Sequence, residues 1–340
     1  MKKASVLSIL VVALLLAVGV IAEAQQAKKV YRIGLLTVGS LAPPTSPASI
    51  EQGLVKLGFV EGQNVAFERR AANGQMDRLP EFAAELARLP LDVIVTAGFP
   101  AAQAARQATS TIPIVISGAG DPVATGLVSS FAQPGGNITG VSALETELSG
   151  KRIDLLKETF PKMASVAVLW NSTDRGMTLK FGELERAAQG LRVTVHALAV
   201  REPKDLDSAF SEMTRKRPDA LFVITDVLTN LNRTHLLELA TKSRLPTMYE
   251  NSSYTDAGGL MSYGPNQSET LQIIIHQVDR ILKGTKPSEI PIEQPMRFER
   301  ELITLLGLLA DRQQAHFRPD DVEDLLGEDG AHRSELEEVL

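Results

Sequence analysis

The sequence predicts an α/β protein built as two similar doubly wound parallel-sheet lobes joined by a multi-strand hinge. Three observations predict it. Short β-branched runs alternate with stretches of helical spacing, the pattern of parallel sheets covered by helices on both faces. The order strand, helix, strand, helix, strand, helix, strand is written twice, with Ile33 and Val166 in matching places 133 residues apart. That period is too long for a solenoid and fits two lobes. In both copies an Asp precedes the third strand and an Ile-Pro or Leu-Pro step precedes the fourth.

The chain opens on a basic start, Met1-Lys2-Lys3, followed by the apolar run Val6–Ile21 and the small-x-small site Ala22-Glu23-Ala24. This is the pattern of a secretory leader cut after Ala24. The run is shorter than a spanning helix needs. No Cys follows it, so no lipid can be attached through an N-terminal Cys. With no Cys in the chain there are no disulfides, and stability must come from core burial.

The first copy opens with a strand over Tyr31–Val38, then a helix over Ser46–Leu57 ended by Gly58. A strand over Asn64–Arg70 and a helix over Leu79–Leu89 follow. Asp92–Thr96 is a strand buried on both faces, because Val93, Ile94, Val95 and Thr96 leave no polar side. Gly98 breaks it, Pro100 suits a first helical turn, and the helix runs over Ala101–Ala108. Ile114–Ser117 is the fourth strand, closed by the loop Gly118–Pro122.

The second copy has strands over Ser165–Trp170, Arg192–Leu198, Asp219–Thr225 and Thr247–Glu250. Its helices fall over Leu179–Leu191, Pro203–Arg215 and Thr234–Ser243. A third segment holds a short strand in Ala257–Gly264, a helix over Leu271–Leu282 and a Pro-rich connector. Hinge crossings are expected near Val141–Leu148, Ser253–Gly258 and Pro291–Arg297. The expected organisation is therefore a leader over 1–24, a first lobe over 30–142 plus 257–290, a second over 143–256 plus 291–310, and an acidic tail over 311–340.

Charge excludes some partners. The net charge is −6, yet the tail alone holds ten acids and three bases, which leaves the body near neutral. There is no basic stripe for nucleic acid. The five His are scattered without metal-ligand spacing, and no Walker loop, nucleophile elbow or dinucleotide fingerprint occurs, so neither cofactor nor metal is expected.

Strand-end loops of parallel sheets bind small ligands at the carboxyl edge. The first copy offers Ser40, Phe99-Pro100-Ala101 and Asp121 there. The backbone N–H groups at the helix start near Ala101 suit a carboxylate. The second copy offers Asn171, Asp226 and Tyr249, with Trp170 beside them. Asp226 suits an ammonium group, or else a helix cap or turn. Asp121 has the same turn alternative. If the two edges face each other, a ligand can bridge them and hold a closed state.

The ordered segments RIGLL (32–36), LGFVEGQNVAFERR (57–70), DRLPEFAAELARL (77–89), DVIVTAG (92–98), GDPVATGLVSSFAQPGGNITG (120–140), ELSGKRIDLLKE (147–158), VAVLWN (166–171), AGGLMSYGPN (257–266) and ILKGTKPSEIPIEQPMRFE (281–299) resemble the tryptophan/tyrosine transport system substrate-binding family of ABC importers. The likeness covers about Tyr31–Glu299. It implies a type I periplasmic-binding-protein fold, a periplasmic location, and delivery of a small organic ligand, often an aromatic amino acid, to a membrane permease. A receptor that docks and closes is expected to be a monomer. Two departures stand out. Phe99 replaces the family's Thr before Pro, and the chain after Glu299 leaves the family pattern, which puts the last strand of the second lobe in question. The alternative function is a secreted two-lobe enzyme, a hydrolase or isomerase, using Asp121 or Asp226.

Overall fold

The computed structural model describes residues 29–41, 49–142 and 148–302. The leader, residues 42–48 and 143–147, and the acidic tail lie outside the described residues; the first helix, expected from Ser46, starts at Ile50 with Ser49 as its cap.

Lobe one is a five-stranded parallel sheet in the order β2-β1-β3-β4-β5. Its strands are β1 (Tyr31–Thr37), β2 (Val65–Ala71), β3 (Val93–Ala97), β4 (Ile114–Ser117) and β5 (Ile138–Gly140). Alternation sends Ile33 and Leu35 to one face and Leu36 to the other, so β1 is apolar over Ile33–Leu36 because both faces are covered there. On one face pack α2 (Leu79–Ala87) and α3 (Phe99–Ala108); on the other lie α1 (Ile50–Lys56) and a later helix, α10 (Gln267–Leu282). The edge strand β2 keeps Arg69 and Arg70 half-exposed, which discourages pairing with a further strand.

Lobe two repeats the order as β7-β6-β8-β9-β10 and adds β11 beyond β10. Its strands are β6 (Ser165–Asn171), β7 (Thr194–Val200), β8 (Ala220–Val223), β9 (Thr247–Tyr249), β10 (Met261–Pro265) and β11 (Phe298–Leu302). The helices are α4 (Leu148–Thr159), α5 (Arg175–Gly190), α6 (Asp205–Lys216), α7 (Val227–Leu231), α8 (Arg233–Ser243) and α9 (Ser252–Thr255).

The repeated sequence signals have repeated jobs. Asp92 accepts from the backbone N–H of Arg32 at the start of β1, and Asp219 accepts from the N–H of Ser165 at the start of β6, both at 2.8 Å. Each Asp ties the third strand of its sheet to the first. Likewise the Pro113 carbonyl accepts from Ile94 N–H, and the Pro246 carbonyl from Leu221 N–H, both at 2.8 Å. A Pro lacks the donor but keeps the acceptor, so it sits at a strand's entry without breaking the ladder.

Two expectations are corrected. The second crossing lies at Pro265–Gln267, not at Ser253–Gly258, because β10 pairs in parallel with β9 (Met261 with Met248, Ser262 with Tyr249). Residues 257–265 therefore belong with lobe two, and only α10 returns to lobe one. Secondly, β11 is present, antiparallel to β10 with Pro265 opposite Phe298. The first crossing falls between Gly140 and Leu148, where it is expected, with residues 143–147 outside the described residues. The first and third crossings meet at a bridge between Val141 and Glu293. Gln277 Nε2 from α10 donates to the Gly140 carbonyl at 3.1 Å and to Glu293 Oε1 at 3.0 Å, holding the hinge to lobe one.

Candidate functional site: the cleft between two carboxyl edges

The order second-first-third-fourth puts a switch point between first and third strands in each lobe, where ligands bind doubly wound sheets. In lobe one that point is Val38–Ser40 and Gly98; in lobe two it is Asn171–Thr173 and Thr225–Asp226. The two edges face each other. Val227 at the start of α7 packs against the apolar cluster of lobe one, its Cγ1 3.5 Å from where a Cβ on Gly39 would stand. A Cβ on Gly176 would stand 3.7 Å from Phe99 Cβ and 3.8 Å from the Ala119 carbonyl oxygen. Both rims of the cleft are thus in contact, and a side chain at Gly176 would meet the opposite lobe.

Behind the rim, lobe one holds a cavity of about 210 Å³ between its carboxyl edge, α1 and α10. Thr37, Ser40, Ser49 and Ser117 bring hydroxyl residues to its wall; Leu41, Ile50, Leu271 and Ile274 bring apolar ones; Glu51 is the one carboxylate among the lining residues. A wider hollow of about 440 Å³ lies elsewhere on lobe one, between Arg106 at the end of α3 and the loop entering β5 at Ile138. That is the amino edge of the sheet, away from the switch point, so the smaller cavity is the better site.

The expected site residues separate on inspection. Ser40 is exposed at the cavity. Gly98 starts α3 at φ 92 with no side-chain cap, but Ala101 in its first turn is fully buried in the core of lobe one and lines neither cavity. Pro100 is half-buried there, while the Phe99 ring lies within the core of lobe one and lines neither of these two cavities. Asp121 Oδ1 accepts from Val123 and Ala124 N–H at 2.8 and 3.0 Å, which is the turn role. Asn171 is buried and donates from Nδ2 to Asp226 Oδ2 at 2.7 Å. Asp226 Oδ1 accepts from Thr229 N–H at 3.0 Å, and Asp226 N–H donates back to Thr229 Oγ1 at 2.8 Å, a capping box on α7.

Tyr249 is a correction. It is fully buried in the core of lobe two and stacked on Tyr254 at 4.7 Å, so its ring does not reach the cleft. Burial pushes its hydroxyl up to about 12, and Thr247 offsets this only slightly. Trp170 likewise stacks on Phe181 at 4.6 Å within lobe two.

Sequence reasoning missed three features. Asp174 caps α5 by accepting from Gly176 and Met177 N–H at 2.7 and 3.3 Å. Burial pushes its carboxyl up, with the Asp226 charge adding to the effect. Its signal was an Asp just before a helix whose start was read four residues late, at Leu179. Glu51 is a lone acid at the apolar face carrying Ile50 and Leu54, which was the readable sign. The third is a buried ion cluster. Glu250 accepts from Arg152 Nη1 at 2.9 Å, Lys180 Nζ at 3.0 Å, and Thr225 N–H and Oγ1 at 2.8 Å each. Its partners are scattered along the chain, so no local motif announces it.

Two doubly wound lobes, three chain crossings and a cavity under facing carboxyl edges define the hinged class of solute receptors. Residues 46–303 match the family model for ABC transporter substrate binding proteins, and the chain belongs to that family. Proteins of this family bind small molecules outside the cytoplasm and work with an ABC permease. A tyrosine-binding protein of Clostridioides difficile is 25% identical over 269 residues, 78% of this chain and 76% of that protein. The ABC domain in complex with L-Trp from Streptococcus pneumoniae has the same fold, with a TM-score of 0.75 at 22% identity, covering 88% of this chain and 99% of that one. The ligand-free, open structure of a substrate-binding protein with adhesive properties from Clostridium difficile gives a TM-score of 0.57 at 24% identity, covering 84% and 97%. Among the described residues no helix is long and apolar enough to cross a membrane.

Proposed function

We propose that the protein is a monomeric periplasmic receptor of an ABC importer, exported by its leader, that captures an amino acid in the cleft and presents it to the permease without changing it. The carrying observation is the cavity at the carboxyl edge of lobe one, beneath rims that both touch lobe two. Hydroxyl residues suit a carboxylate, and the apolar part of the wall suits a hydrocarbon or aromatic side chain. Aromatic amino acids come first because a tyrosine-binding relative and an L-Trp complex are among the similar proteins. Turnover has less support: Asp121 and Asp226, the acids an enzyme would need, are both engaged in backbone capping.

Calorimetric titration with L-tyrosine, L-tryptophan and L-leucine tests this. The expected result is saturable binding of one of them, with the ligand recovered unchanged. Absence of binding to any amino acid sinks the ligand class, and a chemically altered ligand sinks the receptor reading. Trp170 emission is a poor substitute, because its ring packs on Phe181 rather than at the cavity.

A further inference from the structure

We infer that Glu51 is the acceptor for a ligand ammonium group, so that the cavity of lobe one selects solutes carrying a primary amine beside an apolar body. The inference rests on the receptor reading above and names the group that would set its selectivity.

Glu51 stands in the first turn of α1 with its side chain only 8% exposed. Its Oε1 accepts from Arg69 Nε at 3.1 Å. No other hydrogen bond or ion pair reaches it among the described residues, so Oε2 has no partner there. Arg69 does not complete the pair. Its two terminal nitrogens fork onto Glu61 at 3.0 and 2.9 Å, the stronger bidentate arrangement, while its guanidinium rests on the Phe67 ring at 5.0 Å. Two carboxylates therefore share one guanidinium, and the excess negative charge sits at the more buried of the two.

Oε2 is not one of the buried atoms left without a partner, so it stays within reach of solvent, and a donor entering the cavity can meet it. Glu51 lines the cavity, and Leu41, Ile50, Leu271 and Ile274 give the same cavity an apolar wall. An ammonium on Oε2 would take the place of solvent there and balance the carboxylate's share of charge, with the rest of the ligand lying on those side chains. An acid or sugar with no cationic group would leave Glu51 as it stands and gain nothing from it.

The test is calorimetry on wild type, Glu51→Gln and Arg69→Met with L-tyrosine, L-tryptophan and L-leucine, and with their deamino counterparts, which carry hydrogen in place of the amine. Glu51→Gln keeps the shape and should weaken the amine ligand about ten- to a hundredfold, the range for losing a hydrogen bond between charged groups. The deamino counterpart should bind wild type and Glu51→Gln alike. Arg69→Met leaves the carboxylate for the ligand and should bind the amine as tightly as wild type or more tightly; a merely structural Glu51–Arg69 pair would make both variants lose together. Equal amine affinity in wild type and Glu51→Gln, or tighter binding of the deamino compounds to wild type, overturns the assignment and leaves the receptor reading intact. Failure of every compound to bind wild type overturns the amino-acid reading and this inference with it. Melting temperatures of the variants separate misfolding from lost binding.

Discussion

Lobe one ends its carboxyl edge in small hydroxyl residues around a cavity, with its one acid, Glu51, only partly satisfied. Lobe two, with the same strand order, fills the corresponding region with Glu250, Arg152 and Lys180, all essentially unexposed and closely paired. Its two strand-end acids, Asp174 and Asp226, are taken up as helix caps. The contrast teaches that topology places the edge, while the side chains decide whether it receives or presses. On the proposed reading lobe one is the receiving wall. On the same reading lobe two is the lid, its edge carboxylates already engaged.

The sharpest way to break this comparison is to remove the acid from each lobe. Glu250→Gln takes the shared carboxylate from two buried cations and should cost about 3–5 kcal/mol in urea unfolding. Glu51→Gln, facing a partly exposed Arg69, should cost at most ~1 kcal/mol. Equal losses would end the distinction between lid and receptor. The same pair sharpens it through pH. Burial alone would raise the Glu250 carboxyl, but Lys180, Arg152 and the Thr225 donors outweigh it and hold the group below the ordinary Glu value. Its contribution to stability is therefore complete above the ordinary Glu value and is lost as pH falls through the lower folded value. Unfolding midpoints measured down this range should fall for wild type more steeply than for Glu250→Gln.

A middle-sized effect is expected at the lid's contact point. Val227→Asp places a charge against the apolar cluster of lobe one in the closed arrangement only. It should weaken ligand binding by about 1–2 kcal/mol, the scale of burying one aliphatic side chain, and enlarge the radius of gyration in small-angle scattering. Unchanged affinity and size would show that α7 does not act as a latch.

The smallest effect concerns a cap. Asp226→Ala should lower stability by about 1 kcal/mol through the lost capping box. A loss of amine-ligand affinity well beyond the loss of stability would return Asp226 to the binding wall and make lobe two a receiver as well.

Much of the fold could be read because its signals are local. The apolar runs at Tyr31–Thr37 and Val93–Ala97 and the duplicated Asp and Pro steps needed only short windows, and the structure gives each a hydrogen bond. The second crossing was misplaced because Gly258 and Gly259 look like a hinge. They are in fact a tight return, where Gly259 N–H donates to the Tyr254 carbonyl at 2.8 Å before β10 joins the sheet. The site was legible only in outline. Edge loops containing Ser40 and Asp226 could be found by position, but whether an acid caps a helix or waits for a ligand depends on neighbours far along the chain. Asp226 is answered by Asn171, 55 residues away, and Glu250 by Arg152, 98 residues away. Phe99 illustrates the limit: its place before Pro100 pointed to the cleft, yet its ring turns into the core.

The direction of β11 has a practical consequence. It runs antiparallel to β10, with Leu302 opposite Met261, so the strand finishes at the amino edge of lobe two. Tyr31 likewise begins β1 at the amino edge of lobe one. Dyes coupled near residues 30 and 302 would ride on different lobes, far from the mouth, and swing with them. Energy transfer between such dyes would turn the molecule into its own optical gauge of solute.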